Sequence, residues 1–200
     1  MGAASQIRTS LYVKMANVEA AFRNLHQDLL DGCKTGDQRA QFQIYKLYYK
    51  AMYNTSLRIV NDAMEAEDVM QESFLSAFEK IDTYSGTVSF GAWLKKIVIN
   101  RSLDALSKRK AIFEEIESHI GIRDESNDDL LRKEEADIKV EEVKEAINSL
   151  PDGYRIILSL YLLEGYDHDE IADILSISSS TSRSQLSRAK QKLVSELKNK

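Results

Sequence analysis

Turn-forming residues are scarce in this sequence, which has one proline and eight glycines in 200 residues. A sheet needs such residues between its strands, and few segments here alternate apolar and polar residues as strands do. Apolar residues recur instead at spacings of three and four, which line one face of a helix. The sequence therefore predicts an all-α fold with almost no sheet.

The composition is typical of a soluble globular protein, with 43% hydrophobic and 30% charged residues. A chain of this length fills one moderate core or two small ones, since domains commonly contain about 100–150 residues. No apolar run approaches the roughly 20 residues that span a bilayer, and no signal peptide begins the chain, so we expect a cytoplasmic protein. One cysteine, Cys33, and three histidines argue against a disulfide or a zinc cluster, and we expect no cofactor.

The clearest local motif begins at Asp167. This residue can cap a new helix, and Glu170 stands three positions on, as in a capping box. Ile177 then suits a tight corner, and Ser178 can cap a second, basic helix. The apolar stripe of the first helix consists of Ile171, Ala172, Ile174 and Leu175. Two such helices joined by a turn form a helix-turn-helix, whose second helix enters the major groove of DNA.

The second helix of this motif has two different faces. Its inner face carries Leu186, Ala189, Leu193 and Leu197 at spacings of three and four. Its outer face carries short hydroxyls, an amide and arginines, which bond base edges or phosphates. The outer residues are Thr181, Arg183, Ser184, Gln185, Ser187 and Arg188. The alternative is an ordinary amphipathic hairpin with a solvated basic face.

A net charge of -5 is unusual for a protein that binds DNA, but the charge is placed unevenly along the chain. Acidic residues concentrate between Glu114 and Glu145, and we interpret the run Asp124–Asp129 as the centre of a solvated linker. Basic residues cluster at Lys95, Lys96, Arg101, Lys108, Arg109 and Lys110, and again in the carboxyl-terminal helix. We predict an extension over residues 1–17, a first domain over 18–112, an acidic linker over 113–135 and a second domain over 136–200.

The first domain has the pattern of four helices. We expect them over about residues 18–32, from Asp37 to Val60, from Ala63 to Ile81 and from Phe90 onward, with a loop from Asp82 to Ser89. In the third helix we predict Val69, Phe74, Leu75 and Phe78 inside, and Glu65, Glu67, Asp68, Gln71 and Glu72 outside. In the fourth, Trp93 belongs to the core because it lies in register with Phe90, Leu94 and Ile97.

Four blocks of sequence then follow one another in a specific order. They are Glu67–Phe74 (EDVMQESF), Phe90–Leu94 (FGAWL), Ile97–Asp104 (IVINRSLD) before a Lys/Arg run, and Leu150–Pro151 ahead of the helix-turn-helix. In this order they resemble the bacterial RNA polymerase sigma factors, and more narrowly the extracytoplasmic-function group. The match covers roughly residues 37–198, and it implies two helical domains, known as regions two and four.

The resemblance implies two functional surfaces in region two. The third helix would bind the clamp helices of the polymerase beta-prime subunit through Asp68, Gln71 and Glu72, and an acidic face suits a basic partner. The alternative is a merely solvated face. The loop and the fourth helix match the part that opens the minus-10 promoter element, where a flipped base needs a pocket and the separated strand needs cations. The implied residues are Tyr84 and Ser85 for the pocket, and Lys95, Lys96, Asn100, Arg101, Lys108 and Arg109 for backbone or duplex. Asn100 suits a surface polar residue equally well.

In region four the resemblance assigns the minus-35 element to Thr181, Arg183, Ser184, Gln185 and Arg188. Two residues depart from the family pattern. Ser176 stands where glycine is usual at the turn, and Ser182 stands where a small apolar residue usually faces the core, so we expect a modest backbone cost and some loss of packing. Family members are commonly held by an anti-sigma factor, often membrane-bound, and we expect one here.

No catalytic constellation competes with this interpretation. The sequence has no glycine-rich phosphate loop, no nucleophile with a histidine motif and no carboxylate-histidine ligand set, so we expect neither an enzyme nor a small-molecule substrate. The alternative function is a stand-alone helix-turn-helix regulator with a helical sensing or dimerisation domain. Residues 62–110 argue against it, because they predict an acidic docking helix and a basic helix rather than a ligand pocket.

Overall fold

The computed structural model describes the backbone of residues 26–117 and 140–198. Throughout these residues the regular elements are helical, which confirms the predicted all-α fold. The α-helices are α1 (Gln27–Lys34), α2 (Gln38–Val60), α3 (Ala63–Glu79), α4 (Phe90–Glu117), α5 (Val140–Asn148), α6 (Asp152–Leu158), α7 (His168–Leu175) and α8 (Ser179–Lys198). A 3-10 turn, Ile81–Thr83, follows α3, and a π-helical turn, Ser159–Leu163, continues α6. The predicted extension and the centre of the acidic linker lie outside the described residues.

The chain divides into two compact units, and their boundary falls within α2, α3 and α4. Among the described residues, the first unit contains 26–53 and 70–98. Its buried core brings together α1, α2, α3 and the start of α4 through Leu30, Ile44, Met52, Phe74, Phe90 and Leu94. Gly32 permits the close approach of α1 to α2, because a Cβ there would lie 2.7 Å from the Cβ of Ala40.

Cys33 is part of this core, and only 3% of it is exposed. Burial raises the pKa of its thiol, and the nearby carboxylate of Asp37 raises it further. A thiol of this kind stays protonated and unreactive at neutral pH. Cys33 therefore serves as a packed core residue of the first unit.

The second unit contains residues 54–69, 99–117 and 140–198 of the described chain. Its apolar core combines Ile59 of α2 and Leu106 of α4 with residues of the carboxyl-terminal helices, including Ile157, Leu160, Ile171 and Leu186. Residues that lie far apart in sequence thus share one core.

Arg155 lies inside this core, with 2% of its surface exposed. Its guanidinium donates hydrogen bonds to the carbonyl oxygens of Arg58 (3.2 Å) and Ile59 (2.9 Å), in the last turn of α2, and of Leu150 (3.2 Å). Its NH2 group also lies 2.6 Å from the Asp152 carboxylate. The last carbonyls of a helix lack partners within the helix and attract a cation, so Arg155 acts as a carboxyl-terminal cap for α2.

Three further polar contacts join the end of α2 to the carboxyl-terminal residues of this unit. Glu164, whose side chain is 3% exposed, accepts hydrogen bonds from Thr55 (3.1 Å) and from the guanidinium of Arg58. Asn61 ends α2 in the left-handed conformation (φ 56°), which confirms the predicted break, and its amide donates to the carbonyl of Asn148 (3.1 Å).

Two apolar residues face solvent although they stand at helical spacing from buried ones. Leu75, predicted inside, is 64% exposed, whereas the small residues Ser73 and Ser76 fill the buried face of α3 beside Phe74. Leu163 follows the buried Leu160 by three residues, yet it is 50% exposed. The π-helical turn accounts for this exposure, because its five-residue hydrogen bond from Glu164 N to Ser159 O (2.9 Å) shifts the phase of the side chains.

Candidate nucleic-acid and protein interfaces

The first helix of the helix-turn-helix begins as predicted. The Asp167 carboxylate accepts hydrogen bonds from the backbone of Asp169 (2.9 Å) and Glu170 (2.8 Å), and the Glu170 side chain accepts from the Asp167 backbone (2.9 Å). This reciprocal pair confirms the capping box. Ile171 and Ala172 form the buried face of α7.

The turn between α7 and α8 places Ser176 in the left-handed region, at φ 54° and ψ 43°. A residue with a Cβ pays about 1–2 kcal/mol there, and glycine does not. We expect Ser176→Gly to raise the free energy of unfolding by about 0.5–1 kcal/mol, because glycine removes this strain but adds freedom to the unfolded chain. Urea denaturation measures the change. Ser176→Ala is the control, since it keeps the Cβ, and equal stability of the two variants would contradict the prediction.

Helix α8 begins with a local network of hydroxyl groups. Ser178 Oγ accepts a hydrogen bond from the backbone of Thr181 (3.1 Å), as predicted for a capping residue, and lies 2.8 Å from Thr181 Oγ1. Ser184 Oγ donates to the Thr181 carbonyl (3.0 Å). The structure therefore orders the first turn of α8, where the sequence placed residues for reading DNA.

The predicted reading face of α8 is open to solvent over most of its members. Arg183, Ser184 and Arg188 are exposed, Thr181 and Gln185 are half-buried, and Leu186 and Ala189 form the inner face. Two lysines further along α8 make contacts within the protein. Lys190 Nζ lies 5.4 Å from the centroid of the Tyr161 ring, and Lys192 Nζ lies 3.3 Å from Glu196.

Three aromatic rings cluster where the loop meets the start of α4. Tyr84 of the loop is half-buried, and its hydroxyl donates to the Val88 carbonyl (2.7 Å). The centroid of its ring lies 5.6 Å from that of Phe90 and 5.4 Å from that of Trp93. The ring centroids of Tyr48 and Phe90 lie 5.5 Å apart. Burial raises the pKa of the Tyr48 hydroxyl, and the electrostatic effect of Tyr84 raises it further. Trp93 packs against the core of the first unit, which confirms its predicted place.

The side chains of the basic cluster on α4 differ in their surroundings. Lys96, Asn100 and Lys108 are exposed, and Lys95 and Arg101 are half-buried. In the loop before the helix, Ser85 is also exposed, and its hydroxyl lies 3.0 Å from Thr87 Oγ1.

Arg109, unlike the exposed basic residues of α4, makes contacts inside the protein, with Glu65 Oε2 at 2.8 Å and the Val60 carbonyl at 3.0 Å. This contact favours a structural role for Arg109, which the sequence placed with the DNA-binding residues.

The predicted docking face of α3 is exposed at Asp68, Gln71 and Glu72. Two apolar residues extend it at helical spacing, with Met64 four residues before Asp68 and Leu75 four residues after Gln71. Met64 is 80% exposed and Leu75 is 64% exposed. Sequence reasoning missed both, although their spacing from the acidic residues was visible.

Among residues 26–117 and 140–198, no three histidine, cysteine or carboxylate side chains form a group that could hold a metal ion. No helix within the described ranges is both long and apolar enough to cross a membrane.

Comparison with known proteins gives matches for both halves of the chain. A family model described as Sigma-70 region 2 matches residues 44–112, and one described as Sigma-70, region 4 matches residues 140–193. The chain is 30% identical over 175 residues to the RNA polymerase sigma-H factor of Pseudomonas aeruginosa, covering 82% of this chain and 90% of that protein. It is 29% identical over 173 residues to the ECF RNA polymerase sigma factor SigW of Bacillus subtilis, covering 82% and 92%.

Two solved structures resemble the fold. One is the sigma factor RpoE in complex with the anti-sigma factor NepR from Bartonella quintana, with a TM-score of 0.56, 24% identity and coverage of 78% of this chain and 95% of that one. The other is CnrH in complex with the cytosolic domain of CnrY, with a TM-score of 0.53, 22% identity and coverage of 86% and 96%.

Proposed function

The chain belongs to the extracytoplasmic-function group of RNA polymerase sigma factors, and from this membership we propose which of its surfaces carry each step of initiation. It is a transcription initiation factor that binds core RNA polymerase and promoter DNA. We keep the proposed domain boundaries of 18–112 and 136–200, because the two family models match residues 44–112 and 140–193, inside them.

Helix α3 is the proposed polymerase-docking surface. Its exposed carboxylates and amide, Asp68, Gln71 and Glu72, suit a basic partner helix. Met64 and Leu75 add apolar area at both ends of the same helical stripe, and exposed apolar side chains beside polar ones are typical of protein interfaces. This combination supports docking better than a merely solvated face does.

The loop before α4 and the exposed side of α4 are the proposed minus-10 surface. Tyr84 and Ser85 are the proposed pocket residues, and the aromatic neighbours of Tyr84 support a site where a base stacks. Lys95, Lys96, Asn100, Arg101 and Lys108 are proposed to hold the separated strand or the adjoining duplex. We leave Arg109 out of this set because Glu65 and the Val60 carbonyl engage it.

Helix α8 is the proposed reader of the minus-35 element, through Thr181, Arg183, Ser184, Gln185 and Arg188. The observation that carries this assignment is the capped, ordered start of α8 with its arginines exposed. We expect Arg183→Ala or Gln185→Ala to cost about 1–3 kcal/mol at the cognate element and to relax the preference at one or two base positions. Transcription by holoenzyme on single-base promoter variants measures both effects.

Lys192, farther along α8, is the matched control for this experiment. Lys192→Ala should weaken binding to every sequence alike and flatten its salt dependence, because this residue is expected to meet phosphate. Equal loss of activity on all promoter variants for Arg183→Ala and Gln185→Ala would assign promoter choice to another part of the chain.

The overall function is tested by mixing the full chain with core polymerase and a library of promoters. We expect stable holoenzyme and transcription from one promoter class. A chain that binds DNA but does not copurify with core polymerase would instead be the alternative, a stand-alone helix-turn-helix regulator.

In this proposal the protein has no catalytic activity of its own, and it acts in the cytoplasm, where its polymerase partner works.

An anti-sigma factor is a further proposed partner, which would cover the docking surface until a signal releases it. The fold likeness to RpoE supports this proposal, since RpoE was solved in complex with the anti-sigma factor NepR. CnrH, the second fold neighbour, was likewise solved in a complex, with the cytosolic domain of CnrY. To test this proposal, the full chain is purified from its own cells together with any protein bound to it. We expect the bound protein to compete with core polymerase for α3.

A further inference from the structure

The side chain of Ser182 links the two helices of the helix-turn-helix. It is completely buried on the inner face of α8, beside Leu186 and Ala189. Its Oγ lies 2.9 Å from Nδ1 of His168, the first residue of α7. The sequence suggested that a hydroxyl here would only reduce packing. The structure instead gives that hydroxyl a hydrogen-bond partner on the neighbouring helix, so the polar group is satisfied.

His168 is held on its other side by Tyr161. The two rings are stacked, with centroids 4.9 Å apart and an interplanar angle of 27°. Tyr161 lies in the π-helical turn, and its ring also lies beneath Lys190 Nζ of α8. A continuous set of contacts therefore runs from the π-helical turn through α7 to α8 and back to the π-helical turn.

These contacts reach α8 at separate points along its length. Ser182 is in the first turn of the helix, and Lys190 follows eight residues later. Ser179 adds a third contact, since its hydroxyl donates to the Asp169 carboxylate of α7. Contacts at separate positions fix both the rotation of a helix about its axis and its angle to a neighbour, whereas apolar packing alone is non-directional.

We propose that His168 and Ser182 are positioning residues that set the orientation in which α8 presents Arg183 and Gln185 to the promoter. Ser182 immediately precedes Arg183, so a small rotation of α8 at this point moves the guanidinium directly. Bidentate hydrogen bonds to bases depend on such orientation. The inference rests on the proposed role of α8 as the reader of the minus-35 element, and it adds residues that determine specificity without touching DNA.

The test measures base discrimination by holoenzyme, defined as transcription from the cognate minus-35 element divided by transcription from single-base variants. We expect Ser182→Ala and His168→Ala each to lower this ratio by about fivefold or more, with holoenzyme assembly unchanged. The double variant should be no worse than either single one, because the two residues act as a pair. His168→Asn keeps a hydrogen-bonding group near the position of Nδ1, and should retain more discrimination than His168→Ala.

A control separates orientation from stability. Leu193→Ala removes a partly buried apolar side chain from the same helix, far from the pair, and thermal denaturation shows how far it destabilises the chain. If Leu193→Ala lowers the melting temperature as much as Ser182→Ala and loses as much discrimination, the positioning role is wrong. Additive effects of His168→Ala and Ser182→Ala would also overturn it.

Arg183→Ala, measured in parallel, distinguishes this inference from the proposed function. If Arg183→Ala leaves base preference unchanged, α8 is not the reader and both proposals fail. If Arg183→Ala changes base preference while Ser182→Ala and His168→Ala do not, only the positioning role fails. Should Ser182→Ala not fold, the comparison of His168→Asn with His168→Ala decides the question, and equal discrimination by those two variants would count against the pair.

Discussion

Reversing the charges of Asp68 and Glu72 together is expected to abolish holoenzyme formation. Both carboxylates are exposed on α3, on the surface proposed to meet a basic helix of the polymerase. Opposing like charges across an interface costs several kcal/mol, and about 3 kcal/mol already weakens binding by more than about 100-fold. Copurification of Asp68→Lys/Glu72→Lys with core polymerase measures the effect.

The double variant should keep its helicity, and its free energy of unfolding should change by only about 0.5 kcal/mol, because both residues are exposed. Reversing the charges of Asp28 and Asp31 is the matched control, since it changes the net charge equally at two exposed positions of another helix, α1. The docking assignment is wrong if the α3 variant copurifies with core polymerase as well as the α1 variant does.

Replacing Arg155 by methionine is expected to destabilise the chain by about 3–5 kcal/mol, because the buried guanidinium donates hydrogen bonds to three backbone carbonyls. The substitution leaves the carbonyls of Arg58, Ile59 and Leu150 without this donor, and it removes the ion pair between Arg155 and Asp152. Each buried polar group that loses its partner costs about 1–3 kcal/mol. Urea denaturation followed by circular dichroism measures the loss.

Arg155→Lys gives a graded comparison for this prediction. Lysine keeps the charge but lacks the planar fork that reaches three carbonyls at once, so we expect an intermediate loss of stability. Arg183→Ala, at an exposed position, should change stability by only about 0.5 kcal/mol. Wild-type stability of Arg155→Met would show that the buried guanidinium does not stabilise the end of α2.

The parts of the fold that sequence reasoning predicted are those that depend on neighbouring residues. The capping box at Asp167, the cap at Ser178 and the break at Asn61 each follow from a side chain and the backbone within a few positions. The inner positions Ile171, Leu186 and Ala189 follow in the same way from helical spacing.

The parts that it missed depend on distant residues or on a change of helical phase. Arg155 has the chemistry of a surface residue, and its burial becomes favourable through contacts that include the distant carbonyls at the end of α2. Leu163 turns outward because of a π-helical hydrogen bond that no local pattern announces. The partner of Ser182 lies fourteen positions away, at His168, so sequence alone shows a buried hydroxyl but not its satisfaction. The assignments to DNA and polymerase remain predictions, because they concern surfaces that act only with a partner.

The cap that Arg155 forms on α2 also constrains the order of events while the chain is being synthesised. Residues 54–69 leave the ribosome long before Arg155, and until it arrives the last carbonyls of α2 and the apolar side chain of Ile59 lack their partners from the carboxyl-terminal helices. Closing this contact spans 96 residues between Ile59 and Arg155, a long-range step whose entropy cost must be met before the contacts stabilise the chain. The nascent chain therefore completes this core only after α6, α7 and α8 have been synthesised, and truncated products that stop before α6 leave an apolar surface for chaperones and proteases to recognise.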